Sequence, residues 1–383
     1  MKYLIWLFRI ALGGLFIFSG VVKANDPMGL TYKMNEIFEI WGMSGLAHYS
    51  EALSIGMIAF EIIGGVAVIV GNSFRLFITL MLMLNIFYTF LTYYAWTSGK
   101  VKECGCFGDC IKLSNSATFY KDVALTAVNL FLWIFRYRVF PIFKDGKYNA
   151  IIVWVAAAFA FGSQWYTLHF LPVHDCLPYR PGNSIWEKMQ PGPEAKSAVY
   201  KTILTYEKNG VKKDFTEAEF NAQKVWEDPA WKYDTTINIL ISEATGQPEI
   251  PRDFAITDLT GADKTQEILT AKGYTFLWFV REPDKDEVKK NMDRLKNIIT
   301  KAGTMNVKFY VLCSAGADLC KTYQEVWGMK DVSFFTLDGT VSKTAIRTNP
   351  GLMLLSDGVV QGKWSYMNYP KDIVLDNGKL NCK

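Results

Sequence analysis

Long runs of hydrophobic residues fill the first 171 positions of the chain, whereas the remainder mixes short apolar stretches with charged residues, glycine and proline. A helix needs about 20 predominantly apolar residues, at about 1.5 Å each, to cross the hydrocarbon core of a bilayer. Five runs have this length, which predicts five membrane-spanning helices followed by a soluble region. The predicted spans are Tyr3 to Val22, Ala52 to Gly71, Phe74 to Trp96, Ala117 to Phe135 and Tyr148 to Leu171.

Positive charges in the short loops predict how these helices are oriented. The segment between the last two spans holds Arg136, Arg138, Lys144 and Lys147, which assigns it to the cytoplasm together with the N-terminus. Five spans then place the C-terminus outside. The first run contains Arg9 and is not followed by a small-x-small cleavage motif, so it is interpreted as an uncleaved anchor.

Between the first two spans, apolar residues recur at intervals of three and four. This spacing predicts an amphipathic helix on the outer interface, packed as a cap over the bundle. It contains Leu30, Met34, Ile37, Phe38 and Trp41.

Composition adds to this picture. The 383 residues are 50% hydrophobic and 15% aromatic, which is rich for a soluble protein, and the formal net charge is +4. No Lys/Arg cluster with interleaved aromatic residues indicates a nucleic-acid partner. The lipid bilayer is therefore the first predicted partner.

Several ionisable residues lie inside predicted spans, where such residues are costly and often functional. Arg9 and Glu61 fall at similar depth on antiparallel helices, within reach of each other. They could form a structural ion pair or supply polar contacts to a bound quinone or substrate. Both alternatives stay open, and a transporter function would rest on these two residues alone.

Three of the seven cysteines fall within seven residues, in Cys104-Gly-Cys-Phe-Gly-Asp-Cys110. Lysines flank this loop, and cations together with exposed amides lower the pKa of a thiol. The cluster could be a redox-active disulfide, a structural disulfide or a metal site lacking a fourth ligand. No metal is expected, because none of the three histidines stands beside the loop. Cys176 follows the last span, so a bridge from Cys110 or Cys106 to Cys176 is predicted.

The first 140 residues resemble the DoxX-like membrane proteins, in particular the branch that contains MauE. The similar features are Arg9 to Gly20, then Lys23, Asp26-Pro and Gly29, an acidic residue before glycine at Glu61 to Gly64, and the Cys-Gly-Cys-Phe-Gly string from Cys104 to Gly108. The resemblance implies a four-helix bundle in a bacterial inner membrane, linked to disulfide formation, quinones or respiration.

Beyond residue 248 the pattern alternates strands and helices and resembles a thioredoxin-like domain. Predicted strands at Tyr274 to Val280 and Val307 to Cys313 alternate with helices at Lys285 to Ala302 and Asp318 to Trp327. Asn349-Pro350-Gly351 occupies the place of the cis-proline of that fold. The turn that would carry Cys-x-x-Cys instead reads Arg281-Glu-Pro-Asp-Lys285, so the usual dithiol is absent.

Cys313 and Cys320 could form a disulfide that joins a strand to the following helix, or stay buried and unpaired, or act as a displaced redox pair. Cys382 stands in the tail.

The predicted fold is thus a multi-pass α-helical membrane bundle, DoxX-like with a fifth anchor helix, followed by an external α/β thioredoxin-like domain. The predicted domains are residues 1–140 (bundle), 141–193 (fifth helix and Pro-rich exit), 194–247 (a small strand-rich subdomain with an Asn209-Gly210 hairpin turn) and 248–383 (thioredoxin-like).

Two functions compete. The first is thiol–disulfide exchange, with Cys104 and Cys106 as the exchanging pair, Cys110 and Cys176 as resolving or relaying thiols, and a quinone, contacted by Arg9 and Glu61, as candidate electron acceptor. The second is a non-enzymatic assembly or scaffold protein whose thioredoxin-like domain binds a periplasmic or membrane protein and whose cysteines are structural.

Overall fold

The computed structural model describes residues 1–99, 101, 105, 108, 110–111, 113–196, 199–242, 246–251 and 253–383. Six helices form the N-terminal region. They are α1 (Lys2–Ala24), α2 (Pro27–Ile40), α3 (Ser50–Val70), α4 (Phe74–Ser98), α5 (Asn115–Ile134) and α6 (Gly146–Phe170). A 3₁₀ helix, Ser44–Tyr49, leads into α3.

Within the described part of the chain, four stretches are long and apolar enough to cross a membrane, namely Lys2–Ala24, Ser44–Val70, Phe74–Ser98 and Gly146–Phe170. They confirm four of the five predicted spans and make the chain a membrane protein. The remaining prediction, Ala117 to Phe135, coincides with α5, which is helical but falls outside this set. Its polar positions, among them Asn115, Asp122 and Asn129, lower its apolar content, and α5 packs along α4 as a further helix of the bundle.

Helices α1 and α3 are in very close contact because glycines face each other at their crossing. A Cβ atom built on Gly13 would lie 2.7 Å from the Gly65 carbonyl oxygen, and one built on Gly65 would lie 2.6 Å from the Gly13 oxygen. Small residues allow this approach, which favours association through van der Waals packing in a membrane. Farther along the same contact, Gly20 lies against Ile62.

Residues 183–254 form a compact unit of their own. A short helix, α7 (Ile185–Lys188), precedes an antiparallel sheet in the order β2-β1-β3, built from β1 (Val199–Lys208), β2 (Val211–Thr216) and β3 (Lys232–Ser242), with α8 (Glu217–Ala222) after β2. Asn209 and Gly210 both have positive φ, which confirms the predicted hairpin turn. Phe215 is buried against the ring of Trp231.

The C-terminal region is an α/β domain resembling thioredoxin-like folds. In chain order the elements are β4 (Thr257–Asp258), α9 (Thr265–Leu269), β5 (Tyr274–Val280), α10 (Asp286–Lys289), α11 (Met292–Thr304), β6 (Lys308–Cys313), α12 (Ala317–Val326), β7 (Ser333–Thr336), α13 (Gly339–Ala345), β8 (Gly351–Ser356), β9 (Val359–Ser365), β10 (Ile373–Asp376) and β11 (Lys379–Cys382). The six-stranded sheet has the order β4-β7-β6-β5-β8-β9. In it β5, β6 and β7 run parallel, whereas β4, β8 and β9 are antiparallel to their neighbours.

Several predictions for this domain are confirmed. The strand from Tyr274 to Val280 has the predicted bounds, and the Asn349–Pro350 peptide bond is cis. The central strands are buried on both sides, as their apolar character predicts. The predicted helix from Lys285 to Ala302 is wrong in one respect. It is interrupted at Asn291, which has a φ of 56° and donates from its side chain to the Tyr366 carbonyl oxygen.

The glycine contact between α1 and α3 yields a first prediction. Gly13→Ala should lower the free energy of unfolding by about 1–3 kcal/mol, because its Cβ would also lie 2.5 Å from Ile69 Cγ1. Gly14→Ala, one position along the same helix, meets no atom within 4 Å and should be neutral or slightly stabilising. Thermal unfolding of both variants in detergent measures the difference. Equal midpoints would contradict this account of the helix contact.

Candidate functional site

A disulfide ties the loop between α4 and α5 to the segment that follows α6. Cys110 and Cys176 are bonded, with their Cα atoms 4.9 Å apart, which confirms the first of the two predicted bridges. The end of α1 joins the same segment, since Asn25 donates to the His174 carbonyl oxygen at 2.7 Å and accepts from the His174 amide at 3.0 Å. Cys104 and Cys106, the predicted exchanging pair, lie outside the described residues.

Gly105, which separates these two cysteines in the sequence, packs against α2. A Cβ atom on Gly105 would lie 2.4 Å from Lys33 Cδ, and the residue has a φ of 65°. A larger residue would therefore be strained there and would displace the lysine. This contact brings the Gly105 backbone onto the amphipathic helix that the sequence predicts.

A buried cluster of ionisable groups links three helices at this end of the bundle. Lys23 Nζ lies 2.5 Å from Glu61 Oε1, and their side chains are only 4% and 1% exposed. The hydroxyl of Tyr88 donates to the same oxygen at 2.6 Å, and Lys23 lies over the Tyr88 ring. Burying charges is costly unless they are paired, so this arrangement holds α1, α3 and α4 in one register.

The predicted pairing of Arg9 with Glu61 is wrong. Arg9 is fourteen residues before Lys23 on α1, which corresponds to roughly 21 Å along the helix axis. It donates instead to the carbonyl oxygens of Val68 (2.6 Å) and Phe140 (3.0 Å), and it stacks over Trp6. The physical reason is the antiparallel register. Gly20 faces Ile62, so Glu61 meets the end of α1 and Arg9 meets the end of α3.

Two cavities meet at this cluster, and Lys23 and Tyr88 line both. One has charged and polar side chains in its lining, among them Glu61, Asn85 and Asp122, beside the apolar Leu15, Phe16 and Leu125. The other is mainly apolar, with walls from α2, α3 and α4, and Gly105 at its edge. Its apolar lining consists of Leu30, Met34, Ile37, Phe38, Trp41, Met57, Phe87 and Leu91. This confirms that the apolar face of α2 covers the bundle.

Sequence reasoning did not single out most of this cluster. Lys23 enters the prediction only as one position of the family resemblance, and Tyr88 and Asn85 look like ordinary positions in an apolar span. The one available signal was Glu61, an acidic residue in a span. Its partner could not be chosen without the register of the helices, because Arg9 and Lys23 are both basic residues of the same helix.

The end of the thioredoxin-like sheet that carries the cis-proline is docked on α2. The Arg347 guanidinium binds Asp26 with contacts of 2.7–3.0 Å, and the two side chains are 5% and 13% exposed. Asp26 is also the N-cap of α2, where it accepts from the Gly29 amide. A second buried pair, Lys363 with Asp175 at 2.6 Å, lies next to the disulfide in sequence. These contacts attach the domain to the end of the bundle that holds the cysteine loop.

Arg281 occupies the turn after β5 at this docked edge. Its guanidinium donates to the carbonyl oxygens of Ile346 (2.9 Å) and Thr348 (3.3 Å), and its amide donates to Asn349 Oδ1. Burial lowers the pKa of Arg281 and raises the pKa of the nearby Tyr32 phenol on α2. The turn after β5 is thus held by an arginine that lies near Tyr32 of the amphipathic helix.

Of the alternatives left open for Cys313 and Cys320, the disulfide is wrong and the buried, unpaired state is confirmed, since both cysteines are free and fully buried. The Cys320 thiol turns back along its helix to donate to the Ala315 carbonyl oxygen at 3.4 Å. Its hydrogen bond with Cys313 lowers the pKa of Cys313 and raises that of Cys320. Within the described part of the chain, no group of three or more His, Cys, Asp or Glu side chains could hold a metal ion.

Comparison with known families bears on the part of the chain that builds this site. Residues 1–135 match the family described as methylamine utilisation protein MauE. Residues 1–135 form a MauE family domain. Lys23, Glu61, Tyr88 and Gly105 all belong to it. Residues 200–243 match a domain of unknown function, DUF8463, and no curated protein matches the chain significantly.

Solved structures similar to the region outside the MauE domain include two redox proteins. One is a secreted Mycobacterium tuberculosis disulfide oxidoreductase homologous to E. coli DsbE, at 15% identity over 29% of this chain and 81% of that chain, with a TM-score of 0.25. Another is reduced Prx3 from Vibrio vulnificus in complex with H₂O₂, at 12% identity over 33% of this chain and 90% of that chain, with a TM-score of 0.26. The reactions of those proteins are not transferred to this chain.

The docking pair Asp26–Arg347 yields the second prediction. Arg347→Gln should cost about 3 kcal/mol or more, because it leaves a buried carboxylate without its counter-ion. Asp26→Asn removes the carboxylate of the pair but keeps an N-cap for α2, so it tests the same contact from the N-terminal domain. The loss of unfolding free energy in the double variant should be smaller than the sum of the losses in the two single variants, as expected for residues in contact.

Thermal unfolding and hydrogen exchange of α2 measure these effects, with the exposed Lys379→Gln as control. Additive destabilisation by the two substitutions would show that the pair does not hold the domain.

Proposed function

We propose that the protein carries out thiol–disulfide exchange, with Cys104 and Cys106 as the exchanging pair. The observation that supports the proposal is the Cys110–Cys176 disulfide, which holds Cys110, the last cysteine of the loop in the sequence, at the docked end of the bundle. A dithiol beside an existing disulfide can pass its oxidation state on by exchange through a mixed disulfide. Cys110 and Cys176 would then be the relaying pair. A MauE family domain joined to a thioredoxin-like fold is compatible with this role.

The exchange needs a protein substrate and an acceptor for two electrons. Because the thioredoxin-like domain has arginine at the position of its dithiol, the substrate would be a separate protein outside the membrane or within it. A quinone is the acceptor favoured by the membrane location. We place the N-terminus in the cytoplasm of a bacterial cell and the domain in the periplasm, where disulfides persist.

A second function is favoured by the docking of the domain. The edge that binds substrates through a dithiol in active thioredoxin-like proteins is here attached to α2 through Arg347 and Asp26. In that case the protein would be a scaffold, its disulfide would be structural, and the docked domain would present its other surfaces to a periplasmic partner.

Trapping experiments test the exchange function. In cells producing the full chain with Cys106→Ser or Cys104→Ser, one of the two variants should accumulate a mixed disulfide with a partner, because the remaining thiol cannot be resolved. The adduct should appear on non-reducing gels and disappear on reduction. Cys382→Ser is the matched control and should trap nothing.

The two functions predict different results from the same cells. If neither variant traps a partner nor changes the redox state of external proteins, the exchange function is excluded. A partner that co-purifies with both cysteine variants and is lost with Arg347→Gln would instead support the scaffold.

The orientation is tested separately with a membrane-impermeant thiol reagent on whole cells. Cys110 and Cys176 should be labelled only after reduction, because they are disulfide-bonded and would lie on the outer side. The labelling is done on a chain in which serine replaces Cys104, Cys106 and Cys382, so that these thiols cannot react with the reagent. Cys313 and Cys320 can stay, because they are buried. Labelling that requires cell lysis would mean that the orientation is inverted.

A further inference from the structure

A further cavity lies where the last membrane-spanning helix ends, beside the α/β domain. Its volume is about 330 Å³, within the range of about 300–1,000 Å³ that is typical of small-molecule sites. One wall is the segment from Phe170 to Pro181, which continues from α6, and the other consists of Arg347 and Lys363 of the α/β domain. It shares no lining residue with the two cavities at the Lys23–Glu61 pair.

This cavity has an excess of positive charge. Arg180, Arg347 and Lys363 line it, against the carboxylate of Asp175. Asp26 binds Arg347 from outside the lining, so the described residues keep one positive charge in excess. Burial lowers the pKa of Lys363, and the nearby Arg347 lowers it further, whereas Asp175 opposes both effects. An anion in the cavity would offset the repulsion between the two cations.

Lys363 has hydrogen-bond donors to spare. Its side chain is only 7% exposed, and its Nζ donates to Asp175 Oδ2 at 2.6 Å, which is its only partner among the described residues. An ammonium group carries three N–H donors, and buried donors are nearly always hydrogen-bonded. Arg180 is exposed and adds a planar guanidinium, whose donors match the oxygens of a phosphate group. Both walls therefore offer cationic donors to an oxyanion.

The wall that carries Arg180 is held in place at both ends of its polar part. The Cys110–Cys176 disulfide fixes it on one side, and the Gly182 amide donates to the Val360 carbonyl oxygen at 2.8 Å on the other. A pre-formed site loses little conformational entropy when a ligand binds. The segment is therefore suited to hold Arg180 beside the α/β domain.

The cavity begins at the boundary of a membrane-spanning stretch. Phe170, the last residue of α6, lines it together with Val173, which is 79% exposed. Trp165 and Tyr166 are exposed just before this end of the helix, as is typical of residues at a membrane–water interface. Polar headgroups of lipids occupy this zone at the edge of the hydrocarbon core. A ligand of the cavity can thus combine an anionic group with apolar chains.

We propose that this cavity binds a phosphate ester, and that the ester is the headgroup of an anionic phospholipid. Lys363 and Arg180 donate to the phosphate oxygens, Asp175 orients Lys363, and the acyl chains lie along the apolar end of α6. Phosphatidylglycerol, with a singly charged phosphate diester, matches the one excess positive charge. Basic pockets beside membrane-spanning helices bind headgroups by this chemistry. A bound lipid would fasten the α/β domain to the membrane surface, independently of any reaction of the cysteines.

Native mass spectrometry of the delipidated full-length protein, released from detergent, tests the site. The probe is dioleoylphosphatidylglycerol, and zwitterionic dioleoylphosphatidylcholine is the reference. Arg180→Gln should weaken the binding of phosphatidylglycerol about fivefold, because it removes one cation at the membrane surface. Arg138→Gln is the matched control and should bind as the wild type does. Arg138 is also an exposed arginine next to a helix of the bundle, but it does not line the cavity.

A double variant, Lys363→Gln with Asp175→Asn, separates the site from a general attraction of anionic lipids to a cationic protein. It leaves the net charge of the protein unchanged and removes both charges of the buried pair, so it should fold, which thermal unfolding without lipid checks. Because the ammonium donors are lost, binding should weaken about tenfold or more.

Selective binding of phosphatidylglycerol that both cavity variants weaken and Arg138→Gln retains supports the lipid site. Equal binding of the two lipids, or equal affinity of the wild type and the cavity variants, would overturn it. Glycerol 3-phosphate, added as a soluble competitor, distinguishes the two sources of phosphate. We expect no displacement at millimolar concentration, because this ester lacks acyl chains. Displacement would assign the cavity to a soluble phosphate ester and overturn the lipid as its ligand.

Discussion

The pairing of Lys23 with Glu61 is the interaction on which the rest of the membrane region depends. Both groups lie in helices with little access to water, where a lone charge would be strongly destabilising. Pairing them requires the last turn of α1 to meet the middle of α3, and the facing glycines Gly13 and Gly65 allow the close approach that this register needs. Tyr88 then joins from α4, and the space around the three side chains becomes the two cavities.

Helix α2 connects this interior to the soluble domain. Its apolar face covers one cavity, Lys33 lies against Gly105, and Asp26 at its N-terminus binds Arg347. The soluble domain is therefore attached to the same helix that covers the cavity. This arrangement gives the α/β domain a structural contribution to the protein. It holds the outer layer of the bundle in place, whichever of the two functions applies.

Much of the fold could be predicted from the sequence because the signals are local. The length of the apolar runs predicted four of the spans correctly. The alternation of apolar and polar residues, together with Asn209-Gly210, predicted the hairpin, and the apolar run from Tyr274 to Val280 predicted the central strand. Errors arose where a local pattern was ambiguous. Polar residues place α5 outside the clearly apolar helices, and Asn291 breaks a stretch that looks like one helix. Cys313 and Cys320 have a suitable spacing for a disulfide, but their thiols are hydrogen-bonded and unbridged.

By itself, the sequence determined which chemical groups are available: a cysteine loop beside the membrane, an acidic residue in a span, and an arginine at the turn after the first buried strand of the α/β domain. Only the tertiary structure decided which groups meet. Glu61 pairs with Lys23 and not with Arg9, Cys110 pairs with Cys176, and Arg347 reaches Asp26 across more than three hundred residues. The reason is physical. Periodicity and composition report the environment of each segment, whereas partner choice depends on the register between segments, which is set by packing and by the cost of leaving a buried charge unpaired.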